Sequence, residues 1–158
     1  MIVVSDTSTI TNLYQVGRLD LLRSLFGTVI IPPAVRRELY RIEGQAVEIE
    51  KLGWIQTEYP KNQSLISELL DELDLGESEA IALAIELKAE YLIIDEYKGR
   101  EIADKKGVKI VGLLGVLIAA KTDGHLEAVM PLIDKIQLNG FRLNRSLINK
   151  VLTALGEK

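Results

Sequence analysis

Ile2-Val3-Val4-Ser5-Asp6-Thr7-Ser8 sets the frame for the whole chain. Three consecutive β-branched residues with no polar alternation predict a strand buried on both faces, the mark of a parallel sheet covered by helices. Asp6-Thr7-Ser8 then offers N-cap side chains to a helix carrying Ile10, Leu13 and Tyr14. A buried strand running straight into a helix is half of a β–α–β unit, and the pattern returns twice. Thr28–Ile31 reads as a second strand, which Pro32-Pro33 stops while opening a helix over Ala34–Ile42. Tyr91–Ile94 reads as another buried strand, with a helix from about Tyr97 to Lys106 that Gly107 ends.

Between and beyond these, apolar spacing predicts helices over Leu19–Phe26, around Val47–Leu52, and over Asn62–Leu70 and Gly76–Ala89. Trp54-Ile55 reads as a short edge strand and Val108–Val111 as the last strand. The remainder reads as helical, with breaks at Asp123-Gly124, Pro131 and Asn139-Gly140. Strands separated by helices imply right-handed crossovers. The expectation is a single α/β domain over residues 1–158, a three-layer α/β/α arrangement on a short parallel sheet of about four to five strands. The extra C-terminal helices, about residues 124–158, would form an edge or interface layer.

Composition narrows the chemistry. The 158 residues include one His and no Cys, with 19 Lys+Arg against 23 Asp+Glu and a net charge of −4. Structural zinc, disulfides, Cys nucleophiles and iron–sulfur clusters are excluded. His125 sits in the turn signal Asp123-Gly124-His125 and reads as a solvated loop residue. The longest apolar run, Ile110–Ala120, is about half of the ~20 residues a membrane span needs. The start MIVVSD has no basic segment of a secretory signal, so the expectation is a cytoplasmic protein with no membrane. The acidic balance argues against a broad non-specific nucleic-acid surface. Carboxylates remain as the chemical resource.

In open α/β sheets, sites form outside the carboxyl ends of the strands. Asp6 ends the first strand there, and Asp95-Glu96 end the one at Tyr91–Ile94. Glu38 lies on the helix after the second strand, and Glu77 and Glu79 open the helix at Gly76. Each alone has an ordinary role. Asp6 caps a helix, Glu77 and Glu79 suit a helix N-terminus, and Glu38 beside Arg36, Arg37 and Arg41 suits a solvated face. Together they imply more, because two carboxylates ~6 Å apart repel by roughly 3 kcal/mol at an effective dielectric near 20. Convergence would therefore require protonation or a cation. Hard divalent cations take oxygen ligands, hold phosphate oxygens and activate water for in-line attack. Glu77 and Glu79 lie about 200° apart around a helix, so both cannot face one site. Glu77 shares its face with Ala80, Ile81 and Ala84, which suits close approach to a sheet; Glu79 stays open as the alternative. Lys98, Arg100, Lys105 and Lys106, like Arg37, read either as phosphate contacts or as solvated faces.

These segments, in order, resemble the PIN-domain family of metal-dependent nucleases, which includes the toxin ribonucleases of toxin–antitoxin pairs. Ile2–Ser8 resembles its first strand, catalytic Asp and nearby Ser/Thr, and Pro32-Pro33-Ala34-Val35-Arg36-Arg37-Glu38-Leu39 resembles the segment bearing the second acid. Gly76-Glu77-Ser78-Glu79-Ala80-Ile81-Ala82-Leu83-Ala84 resembles the third acidic motif, and Tyr91–Glu96 the fourth strand with its terminal acid. The tail from Gly112-Leu113-Leu114-Gly115 to Gly156-Glu157 resembles a subfamily described only as nucleic-acid-binding. The third acid is often Asp in the toxins and is Glu here, and the fourth is open between Asp95 and Glu96. The resemblance implies an Mg²⁺- or Mn²⁺-dependent ribonuclease. Asp6, Glu38, Glu77 or Glu79, and Asp95 would hold the metal and orient water, with Ser8 and Glu96 in support. Lys98, Arg100 and Arg37 would meet RNA phosphates. An antitoxin protein and a homodimer are the further partners it suggests. The competing reading is a non-catalytic nucleic-acid-binding or regulatory module that retains the fold.

Overall fold

The computed structural model describes residues 1–42 and 44–158. The elements are β1 (Val3–Ser5), α1 (Thr7–Gln15), α2 (Asp20–Phe26), β2 (Val29–Ile31), α3 (Pro33–Tyr40), α4 (Gln45–Glu50) and β3 (Ile55–Thr57). They continue with α5 (Gln63–Leu69), α6 (Leu75–Glu86), β4 (Tyr91–Ile93), α7 (Tyr97–Lys105), β5 (Ile110–Val111), α8 (Leu113–Thr122), α9 (Met130–Leu138) and α10 (Arg145–Ala154). The five strands form one sheet in the order β3-β2-β1-β4-β5, and every pairing is parallel. Val4 pairs with Ile30 on one side of β1 and with Leu92 on the other. This is the helix-covered parallel sheet expected from the sequence.

The pleat explains why the strands carry no polar alternation. Val3, Val29, Ile31 and Ile93 enter the core beneath α1, α2, α3, α8, α9 and α10, whereas Val4, Ile30, Leu92 and Ile94 enter the core beneath α5, α6 and α7. Helix α6 is buried along Ala80–Ala84, where alternating Ala lets it lie close to the sheet. Each fully buried Leu, Ile or Val contributes roughly 1.5–3 kcal/mol against the exposed state. α9 and α10 supply Ile133, Ile136, Ile148 and Leu152 to the first core, so the C-terminal helices complete that layer. Among the described residues, no helix is long and apolar enough to cross a membrane.

Two local departures have physical causes. Pro131 does not break a helix; it sits in the first turn of α9, where a missing N–H costs nothing. Helix α6 begins at Leu75, before Gly76, because Asp74 caps it.

The C-terminus has its own clamp. The Glu157 carboxylate accepts from the Val129 and Met130 N–H groups at 2.9–3.1 Å and from Lys121 Nζ at 2.7 Å, tying α8 and the uncapped start of α9 to the chain end. Burial works to raise the Glu157 pKa, but Lys121 and the two N–H donors outweigh it and hold the carboxyl down at about 2. A depressed folded value stabilises the protein above the ordinary 4.5, and that contribution is lost as pH falls toward 2. Glu157→Gln should therefore lower stability by about 1–3 kcal/mol at pH 7 and by progressively less below pH 4.5. Thermal melts of the two proteins across that range provide the check.

Candidate active site: an acidic cleft at the carboxyl edge of the sheet

The chain runs from β1 outward through β2 to β3, then returns to the opposite side of β1 for β4 and β5. Between β1 and β4 the helices following the strands diverge, leaving a crevice at the carboxyl edge. Asp6 follows β1 directly, and its backbone N–H donates to the Ile93 carbonyl at 2.9 Å, so β4 fixes its position. Asp6 Oδ1 accepts from the Thr7 N–H at 2.7 Å, capping α1. Thr7 Oγ1 donates to Glu38 Oε2 at 2.7 Å and tethers α3 to the start of α1.

Asp74 and Glu77 form a reciprocal cap at the start of α6. Asp74 Oδ1 accepts from the Glu77 N–H at 2.8 Å, and Glu77 Oε1 accepts from the Asp74 N–H at 3.3 Å. The other oxygen, Glu77 Oε2, is buried without a hydrogen-bond donor among the described residues. Two glycines make room for these acids. A Cβ at Gly76 would collide with Glu38 Oε1, and one at Gly99 would stand 2.7 Å from Ile94 Cδ1 and 3.2 Å from Glu77 Oε2.

The result is a cleft of about 480 Å³ into which five carboxylates open: Asp6, Glu38, Asp74, Glu77 and Glu96. Burial pushes Asp6 up to about 7, and Glu38, Asp74 and Asp95 add to the rise against the hydrogen bond from Thr7. Burial likewise pushes Glu77 up to about 8, reinforced by Asp74 and Glu96. At Glu96, burial acts upward but loses to the Gly99 and Lys98 N–H groups and to the neighbouring Glu77 carboxyl, leaving it below the usual range. Crowding and burial thus raise the proton affinity of the two deeper acids, Asp6 and Glu77, while that of the outer Glu96 is lowered.

Apart from Ser8, the other candidates do not line the cleft. Glu79 points away from the cleft, and its Oε1 accepts from the Ala34 N–H at 2.9 Å. It serves as the missing cap of α3, whose own cap residue, Pro32, offers no side-chain bond. Asp95 is enclosed by donors: Thr9 Oγ1 at 2.7 Å, Ser8 Oγ at 3.3 Å and the Leu113 N–H at 2.8 Å. It ties the start of α1 to the start of α8 and acts on the cleft through its charge, not through a free oxygen. Ser8 therefore supports Asp95, although it also lines the cleft. Lys98 is paired with Glu72 at 3.2 Å on a different face, and Arg37 is exposed on α3. Arg100 turns inward, its Nη1 donating to the Ile94 carbonyl at 3.1 Å. Asp74 was not among the sequence candidates. Its signal was present in Asp74-Leu75-Gly76-Glu77, a capping-box spacing that opens two residues before the expected helix start.

The donor set is all oxygen, which fits a hard divalent cation, and the donorless Glu77 Oε2 is a buried oxygen that such an ion would satisfy. No three acidic side chains, as placed among the described residues, form a ready cage for one ion. Mg²⁺ needs none, since it takes one or two carboxylates and completes its shell with water and substrate oxygens.

Residues 2–157 match the PIN domain family, and the chain belongs to that family, whose members are generally nucleases. No protein of curated function matches in sequence. Among solved structures, the fold resembles a PilT N-terminus domain protein from the hyperthermophilic archaeon Sulfolobus solfataricus. The TM-score is 0.55 at 20% identity, over 82% of this chain and 99% of that one. At that identity the likeness concerns the fold.

Two expected outcomes follow from the shifted carboxylates. Asp6 and Glu77 bind protons more tightly folded than their ordinary values of 3.8 and 4.5. Their contribution is intact below those values and is lost as pH rises through about 7 and 8. In chelator, the melting temperature should fall between pH 4.5 and 8, and Asp6→Asn should melt higher than the parent at pH 8. Glu79→Ala should lose about 0.5–2 kcal/mol in urea unfolding, as a lost helix cap does, without flattening that pH dependence.

Proposed function

We propose that the protein is a metal-dependent ribonuclease that hydrolyses RNA phosphodiester bonds at the acidic cleft, with Mg²⁺ or Mn²⁺ as its cofactor. One observation carries the reading: five carboxylates line a single cleft, two of them raised to about 7 and 8. Such a cleft repels a phosphodiester as it stands, so an anionic substrate enters only with a cation to offset the field. A bound divalent ion supplies charge neutralisation, contact with phosphate oxygens and a lowered pKa for water.

Asp6 and Glu77 are the deepest donors and would hold the ion, each giving up its proton as the ion binds. Asp74 and Glu96 would complete the oxygen-rich wall. Glu38 keeps one oxygen, Oε2, on Thr7 and leaves Oε1 unengaged among the described residues. Glu38 Oε1 would accept the proton of the attacking water as the new P–O bond forms, and that proton would pass to the leaving oxygen as its bond to phosphorus breaks. Asp95, Ser8 and Thr9 act as positioning residues, holding α1 and α8 at the edge of the cleft. The family resemblance extends the proposal to the toxin half of a toxin–antitoxin pair. Expression would then arrest growth, and expression of Asp6→Asn would not.

Cleavage of a labelled single-stranded RNA in Mn²⁺ tests the reading directly. Asp6→Asn should lower the rate by a factor on the order of 10²–10⁴ while the protein still melts cooperatively. Mn²⁺ should raise the melting temperature of the parent at pH 8 and leave that of Asp6→Asn unmoved. Undiminished cleavage by Asp6→Asn would overturn the mechanism. A parent that binds RNA but neither cleaves it nor responds to Mn²⁺ would establish the non-catalytic binding module instead.

A further inference from the structure

A second cavity of about 570 Å³ adjoins the acidic cleft and differs from it in character. Its floor is apolar, formed by Ile110, Val111, Leu114, Ile118, Leu143 and Val151. Tyr97, Phe141, Arg100 and Arg142 also border it. Its volume lies within the roughly 300–1,000 Å³ of sites that enclose small ligands. Two chain segments pass from one cavity to the other. Glu96 lines the cleft and the next residue, Tyr97, lines the groove. Asn139 and Gly140 line the cleft, Arg142 to Asn144 line the groove, and Phe141 lines both.

We propose that this groove is a nucleotide subsite, holding the base next to the cleaved phosphate against Tyr97 and Phe141 and the flanking phosphate near Arg100 and Arg142. The inference rests on the cleft being the cleavage site. Four features support it. Tyr97 is 78% exposed at the mouth, a large aromatic with nothing on its outer face, as a stacking platform requires. Phe141 lines both cavities, so a polymer with its phosphate in the cleft would bring its neighbouring base to that ring. Arg100 uses Nη1 on the Ile94 carbonyl and, among the described residues, engages no partner with Nε or Nη2. The one acid bordering the groove, Asp95, is already satisfied by Thr9, Ser8 and Leu113 and sits near that guanidinium. Gly112 makes this packing possible, since a Cβ there would stand 2.5 Å from Arg100 Nη1 and 2.8 Å from Asp95 Oδ1. Cation, aromatic face and apolar floor together match an unstacked base and its phosphate.

Anisotropy titration of a fluorescein-labelled, mixed-sequence single-stranded RNA of ten nucleotides, with Ca²⁺ in place of Mn²⁺ so that the cleft is neutralised without cleavage, reads the subsite apart from catalysis. Tyr97→Ala should weaken binding about 5- to 150-fold, the span given by losing one base–aromatic stack of ~1–3 kcal/mol. Tyr97→Phe should restore it, because the ring and not the hydroxyl does the stacking. Arg142→Ala should weaken binding and reduce the slope of log K against log salt by about 0.7, the loss of one phosphate contact. A parallel probe of abasic sugar-phosphate should bind the parent and Tyr97→Ala equally. Unchanged RNA affinity in Tyr97→Ala and Arg142→Ala would overturn the subsite, and is the result expected if the groove instead seats a protein segment. In that event, retained Mn²⁺-dependent cleavage by the parent would leave the ribonuclease reading standing. A parent that neither binds nor cleaves the RNA would remove both.

Discussion

The crowding of carboxylates into a low-dielectric crevice is the constraint around which this molecule is arranged. Asp6 and Glu77 are buried beside other acids, and each prefers a proton near neutral pH to a charge it cannot share. That preference costs stability whenever the pH rises without a counter-ion, and among the described residues the fold accepts it in this cleft. The rest of the sheet edge is organised to bring those acids in from separate elements: β1 for Asp6, α3 for Glu38, the start of α6 for Asp74 and Glu77, and the turn after β4 for Glu96. Small residues make the approach possible, with Gly76 admitting Glu38 and Gly99 admitting Glu77.

Identical chemistry serves different ends within this one fold. Asp95 and Glu79 carry the same functional group as Asp6 and Glu77, yet both are consumed by donors. Asp95 joins the starts of α1 and α8, and Glu79 caps α3. A carboxylate held by donors from a neighbouring element is a strut; one with an idle, desolvated oxygen is a binding group in waiting. The distinction lies in partners, and partners come from elements far away in the chain.

Much of the fold was legible because it depends on local patterns. Val3-Val4, Ile30-Ile31 and Leu92-Ile93 announced strands covered on both faces, and Pro33 marked the start of α3. Pro131 misled because a proline reads the same whether it breaks a helix or opens one; the chain before it decides, and Val129 there turns into the first turn of α9. Asp74 escaped notice because a capping aspartate has a sufficient local explanation. Its place in the cleft follows from where α6 lands against α3.

By itself, the sequence determined the parallel α/β architecture, the exclusion of cysteine and zinc chemistry, and the supply of acids at strand ends and helix starts. These follow from residue type and short-range periodicity, which act within a few positions of the chain. Only the tertiary structure decided which acids share a cleft, which of Glu77 and Glu79 faces it, and that Asp95 is held by Ser8, Thr9 and Leu113. The separations involved, such as Thr7 to Glu38, Ala34 to Glu79 and Thr9 to Asp95, are bridged by packing of helices on the sheet. Hydrogen-bond partners, burial and the resulting proton affinities are properties of that packing, and no local pattern encodes them.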